Sequence, residues 1–159
     1  MALLAIIRIR GRSGHRPEVK YTLRSLRLTR KYHAVIYPSK LPGLLGMLKV
    51  VKDWVTWGEI SKSVLAELIK KRGRTVGNKP ITDEVVRNKL KLNGGIEELI
   101  NIVYEEKIMW HKLDHIFKPV FRLHPPKGGF KGSIKKPYKS GGELGYRGST
   151  INELLMKMI

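Results

Sequence analysis

Over the first sixty residues the apolar side chains change their spacing four times, and that alternation limits the fold more than any other feature of the chain. "LLAIIRIR" (3–10) is an apolar run that turns into an alternation, so it reads as a strand. Ala5, Ile7 and Ile9 share one of its faces, and Ile6, Arg8 and Arg10 the other. "GRSGHRP" then breaks the pattern with glycines and a proline. Pro17 suits the first position of a helix, where its missing N–H costs nothing, and Glu18 suits the positive end of the helix dipole. Val19, Leu23 and Leu26 make the inner stripe of that helix, while Lys20, Arg24, Arg27 and Lys31 follow the same rhythm on the adjoining face. "HAVIYP" (33–38) reads as a second strand. Ser39 reads as the cap of a second helix that turns Leu44, Leu45, Met47, Leu48 and Val51 inward. "WVTWGEI" (54–60) reads as a third strand. The order is β-α-β-α-β, an α+β core with two helices on one face of a small sheet. The other face is either solvated or met by a partner.

From residue 61 the pattern is mainly helical. Ser61 caps a helix with Val64, Leu65, Leu68 and Ile69 inward, three basic residues at its end, and Gly73 as its stop. "ITDEVVRNKLKL" is a short helix with Asp83 and Glu84 in its first turn. "IEELINIVYEEK" (96–107) is a longer amphipathic one. "INELLMKM" closes the chain as an anchoring helix capped by Ser149 or Thr150. The chain thus divides into a core at 1–60 and a helical extension at 61–159.

Within that extension, residues 125–148, "PPKGGFKGSIKKPYKSGGELGYRG", have too little apolar content for a core. They hold six basic residues, one acid, seven glycines, three prolines and three aromatics, and read as a long basic loop tied down at both ends. A net charge of +19 repels itself in a compact state unless a polyanion neutralises it. Residues 1–60 carry 12 basic against 3 acidic residues, the strongest surplus in the chain. Nucleic acid is the polyanion of choice, because each Lys or Arg on a phosphate releases counterions. No apolar run approaches the roughly 18 residues of a membrane span, so no membrane partner is expected. The absence of cysteine rules out disulfides and suits a reducing cytoplasm.

Two groups of residues fit RNA contact. The first is Arg10, Arg12 and Arg16 with Lys20, Arg24, Arg27 and Lys31, a stripe in which no acid other than Glu18 intervenes. The second is Lys127, Lys131, Lys135, Lys136, Lys139 and Arg147 for phosphates, with Phe130, Tyr138 and Tyr146 for stacking on unpaired bases. The plain alternatives are a solvated helix face and a solubilising loop. His111 and His115 have the spacing of metal ligands on a helix, but Lys112 stands where a metalloprotease needs Glu, and no third ligand is evident. No metal, cofactor, small-molecule substrate or catalytic constellation is expected, so the chain reads as no enzyme. A general basic RNA- or DNA-binding protein, of the chromatin or RNA-chaperone kind, is the alternative to a more specific role.

The order of motifs carries a resemblance. "IIRIRGRSGHRPEVKYTLRSLRLTRKYHAVIYPSKLPGLLGMLKVVKDWVTWGEI" resembles the large-subunit ribosomal protein family numbered thirty in bacteria and seven in eukaryotes. "ITDEVV", "GGIEELINIVYE", "FKPVFRLHPPKGGFKG", "GGELGYRG" and "INELLMKM" resemble the archaeal and eukaryotic extension of that family. A start directly at the first strand resembles the archaeal form. The resemblance implies a ferredoxin-like-related core: a three-stranded antiparallel sheet, order 3-1-2, with two helices on one face. It also implies a structural role in the cytoplasmic large ribosomal subunit, bound to large-subunit rRNA, in proximity to 5S rRNA and beside neighbouring ribosomal proteins.

Overall fold

The computed structural model describes residues 3–11 and 16–159. Strands β1 (Leu3–Arg8), β2 (His33–Pro38) and β3 (Val55–Glu59) pair antiparallel, with β1 in the middle. The sheet does not stop at the three expected strands. A short β4 (Phe121–Arg122) pairs antiparallel with β2. On the other side β6 (Gly142–Tyr146) runs parallel to β3, and β5 (Ser133–Pro137) parallel to β6. The result is one six-stranded sheet in the order β4-β2-β1-β3-β6-β5. β4 is only two residues long, and β5 and β6 are five-residue segments rich in Lys, Pro or Gly, so none shows an alternation of its own. They form because the edges of β2 and β3 offer unpaired N–H and C=O groups to any segment held beside them.

Both faces of the sheet are covered by the chain itself. Helices α1 (Pro17–Ser25) and α2 (Leu44–Val51) cover one face, enclosing Leu4, Ile6, Leu23, Leu28, Val35, Leu48 and Val55. The other face carries Leu3, Ala5, Ile7, Ile9 and Ile36, and lies under α3 (Lys62–Arg72), α5 (Gly95–Tyr104) and α6 (Ile151–Met158). Helix α4 (Asp83–Leu90) adds Val86 to this larger core. All six residues of β1 are therefore buried, as a strand between two layers must be. The face expected to meet solvent or a partner meets residues 61–159 instead.

Local signals explain most helix ends. The Ser61 hydroxyl accepts from the Val64 N–H at 3.4 Å, and the Thr82 hydroxyl from the Val85 N–H at 3.3 Å. Helix α1 stops at Ser25, short of the expected Lys31. The Leu28 N–H donates to Leu23 C=O at 2.8 Å and the Arg27 N–H to Arg24 C=O at 2.9 Å, with Arg27 at φ 68°. This is a Schellman ending, sealed by the contact of buried Leu28 with Leu23, and it puts Arg27 where glycine is usual. Helix α2 starts at Leu44 after left-handed Gly43, not at a Ser39 cap. At α6 Thr150 does not cap; its hydroxyl donates to Arg147 C=O at 2.6 Å. Asn152 fastens this helix instead, donating to Glu59 C=O at 3.1 Å and accepting from the Ser61 N–H at 2.8 Å.

Candidate nucleic-acid interface

Strand directions decide where the cations gather. β1 and β4 end, and β2, β3, β5 and β6 begin, at the same end of the sheet. Arg10 leaves β1 there, Arg30 and Lys31 lead into β2, Arg122 closes β4 and Lys131 leads into β5. Segments more than a hundred residues apart in sequence thereby share one rim. Arg10 is half-buried, donating to Asp53 C=O at 3.2 Å with its guanidinium 5.3 Å from the Trp54 ring centre. The Lys31 ammonium lies 5.1 Å from the Tyr32 ring, and Tyr32 lies 6.3 Å from Phe130. Tyr32 thus joins the basic turn after α1 to the lysine-rich segment. The imidazole of His33 registers the same crowding: burial lowers its pKa, and Arg122, Arg30 and Arg8 lower it further.

Lys20 and Arg24 stand exposed on α1, and Arg16 is exposed at its start, 3.8 Å from Glu18. Arg12 lies outside the described residues. Arg27 leaves the stripe: it donates to His111 C=O and to the Asp114 carboxylate, each at 3.1 Å. That contact also accounts for the histidine pair. His111 sits in a short 3-10 turn, Trp110–Leu113, with its ring 5.0 Å from Tyr37, so the α-helical spacing of metal ligands is not formed. Burial lowers the His111 pKa, and Arg27 and Lys112 push it the same way. Among the described residues no cluster of three His, Asp or Glu side chains is placed to hold a metal ion.

Residues 125–148 are not a featureless loop. β5, a 3-10 turn at Tyr138–Ser140 and β6 fold them onto the edge of β3. A Cβ added at Gly142 would lie 1.9 Å from Lys136 C=O, so only glycine lets these backbones come this close. Lys127, Lys131, Lys135, Lys136 and Lys139 are all exposed along this ridge, and Tyr138 and Tyr146 are 38% and 45% exposed. Phe130 is half-buried against Tyr32. The Tyr146 hydroxyl donates to Glu59 at 2.5 Å, which raises its pKa.

Arg147, expected on phosphate, is inside the protein, 8% exposed. Its guanidinium donates to the Thr56 hydroxyl at 2.8 Å, to Glu143 C=O at 2.6 Å and to the Glu143 carboxylate at 2.5 Å. Glu143 in turn accepts from the Gly132 N–H at 2.8 Å. Arg147 is a fastener of the ridge, not part of its surface. A second buried guanidinium went unread in the sequence. Arg8 donates to Leu28 C=O at 2.8 Å, Arg10 C=O at 3.0 Å and Gly11 C=O at 3.2 Å, holding the basic turn to the sheet. The only trace of it is an arginine in a strand whose other residues are all apolar.

Among the described residues no helix is long and apolar enough to cross a membrane. Residues 4–55 match the family described as "Ribosomal protein L30p/L7e". The chain is similar over nearly its whole length to proteins named large ribosomal subunit protein uL30. It is 61% identical to that of Hyperthermus butylicus over 163 aligned residues, covering 99% of this chain and 90% of the relative. It is 59% identical to that of Staphylothermus marinus over 160 residues, covering 99% and 98%. It is 52% identical to that of Aeropyrum pernix over 160 residues, covering 100% of both. Identity at this level across both the β-α-β-α-β core and the extension places the chain in the uL30 family of large ribosomal subunit proteins.

Proposed function

We propose that the chain is a structural constituent of the large ribosomal subunit in the cytoplasm, not an enzyme, and that it holds large-subunit rRNA with the basic rim of its sheet and the lysine ridge. The observation that carries this is the gathering of Arg10, Lys31, Arg122 and Lys131 at one end of the sheet, beside exposed Lys20 and Arg24. Arg16, Lys127, Lys135, Lys136 and Lys139 extend the field, and Arg12 belongs to the same turn in sequence. Phosphate contacts supply affinity without sequence reading; Tyr138, Tyr146 and the edge of Phe130 offer faces for unpaired bases. Residues 1–60 act as the core and 61–159 as the layer that adds the ridge. Proximity to 5S rRNA and contact with neighbouring ribosomal proteins complete the reading.

Ultraviolet crosslinking in cell extract tests it. Reads concentrated on a few large-subunit rRNA sites, with peptides from 10–31 and 127–139, are expected. Scattered reads over many RNAs, or DNA instead, would leave a general basic binder. Charge reversal tests the face: Lys20→Glu with Arg24→Glu lowers retention on salt-washed large subunits more than Lys70→Glu with Lys71→Glu. Arg27 is excluded from that comparison because it is paired with Asp114.

A further inference from the structure

Away from α1 and the lysine ridge, four cations line one recess of about 220 Å³: Arg72, Arg74, Lys118 and Arg122, together with Asn78 and Val120. They come from the end of α3 (Arg72), the turn that follows it (Arg74), the segment leading into β4 (Lys118) and β4 itself (Arg122). Among the described residues none of the four is ion-paired with an acid. Arg74 and Lys118 are held by neutral groups, and Arg72 by the main-chain oxygen of the last residue, Ile159. Arg74 donates to the carbonyls of Gly73 at 2.8 Å and Lys71 at 3.3 Å, and Arg72 to the Ile159 main-chain oxygen at 3.1 Å. The Lys118 ammonium donates to the Asn78 side-chain oxygen at 3.4 Å, and Asn78 holds a left-handed φ of 62° at its turn. The neutral bonds aim Arg74 and Lys118 and leave their charge, and most of their N–H donors, available.

A cation in the last turn of a helix is favoured by the helix dipole, which accounts for Arg72. It does not account for Lys118 and Arg122, which arrive from elsewhere. Like charges converging on a concavity oppose folding unless an anion offsets them. The recess is smaller than the roughly 300–1,000 Å³ of small-molecule sites, so it suits one anionic group of a larger chain. Three guanidiniums with an ammonium fit a tetrahedral phosphate, which arginine grips through paired donors. Arg122 also faces His33 on the rim, so the recess continues the basic end of the sheet around the β4 edge. That continuity favours RNA over an acidic peptide.

We infer that the Arg72–Arg74–Lys118–Arg122 recess is a binding site for a single backbone phosphate of RNA, separate from α1 and the lysine ridge. The inference rests on the RNA-binding reading above. The test uses the full chain and deproteinised large-subunit rRNA, measuring Kd across a salt series. Arg74→Gln with Arg122→Gln should weaken binding several-fold and make the slope of log K against log salt shallower by roughly 0.7–0.9, the value for one phosphate. Arg74→Lys with Arg122→Lys should keep the slope. Lys20→Gln with Arg24→Gln should lower the slope independently, so that the two pairs add. An unchanged Kd and slope in the recess variant, with the α1 pair still effective, overturns the recess and leaves the RNA reading standing. If instead neither pair matters because the unaltered chain fails to bind rRNA, both readings fall. Normal rRNA binding by the recess variant with loss of a neighbouring protein from reconstituted subunits assigns the recess to an acidic peptide and overturns the proposal. Unchanged thermal midpoints in the variants exclude a folding defect.

Discussion

At Arg147 the chain places a guanidinium out of reach of water, against a carboxylate with 9% of its side chain exposed. Removing one partner of such a pair leaves the other as an uncompensated buried charge. Glu143→Ala is therefore expected to destabilise the protein by about 3–5 kcal/mol. At roughly 2–4 °C per kcal/mol for a chain of this size, thermal unfolding should move down by about 6–20 °C. Glu67→Ala, which breaks the exposed Lys71 pair at 3.1 Å, should change stability by less than about 1 kcal/mol. Equal losses in the two variants would show that the Arg147 network is wetter than its geometry. Nothing in residue type separates Arg147 from exposed Arg24. Only its enclosure beside Thr56 does.

Among elements, the ridge of β5, the Tyr138 turn and β6 is the one whose behaviour sequence and structure describe differently. As a free loop, every basic residue from 127 to 147 except Lys136, which precedes Pro137, would be an equal target for trypsin. With β6 paired to β3 and Arg147 donating its backbone N–H to Trp57 C=O at 2.9 Å, its last part is held in the sheet. Limited trypsin digestion of the isolated chain should cut first after the exposed lysines 127, 131, 135 and 139, and late after Arg147, while the Lys136–Pro137 bond resists trypsin in any fold. Cleavage after Arg147 at the same rate would mean that the β3–β6 pairing opens readily. In the large subunit the exposed lysines should also become protected, because ordering against RNA offsets the roughly 1–2 kcal/mol per residue lost from backbone freedom.

For the whole molecule, the decisive feature is a sheet buried on both faces. A fragment of residues 1–60 would keep its first core, with Leu23, Leu28 and Leu48, but would expose Leu3, Ala5, Ile7, Ile9 and Ile36 to water. A 60-residue unit is marginal even with all its surface in order, since it buries only about 60% of what its unfolded chain exposes. The fragment is expected to aggregate or to lack a cooperative unfolding transition, whereas the full chain unfolds in one. A soluble fragment with a sharp transition would show that the α1–α2 face alone supplies enough burial.

The sequence by itself determined the elements of the β-α-β-α-β core, the cap at Ser61, the inner stripes of the helices and the need for a polyanion. These are properties of short windows and of composition: a 3.6- or 2-residue period, a hydroxyl three residues before an N–H, a surplus of charge. Tertiary structure alone decided what covers the second face of the sheet, which the sequence left open between solvent and a partner. It alone decided that Gly- and Lys-rich segments become strands β5 and β6, since an edge recruits its partner by backbone hydrogen bonds that carry no side-chain period. It also sorted the cations into those that face outward, such as Lys20 and Lys131, those spent on fastening, Arg8, Arg27 and Arg147, and those gathered in the recess beside α3. Arginine stands in all three places, as exposed Arg24, buried Arg147 and Arg74 of the recess; its role is set by what the fold puts within about 3 Å of it.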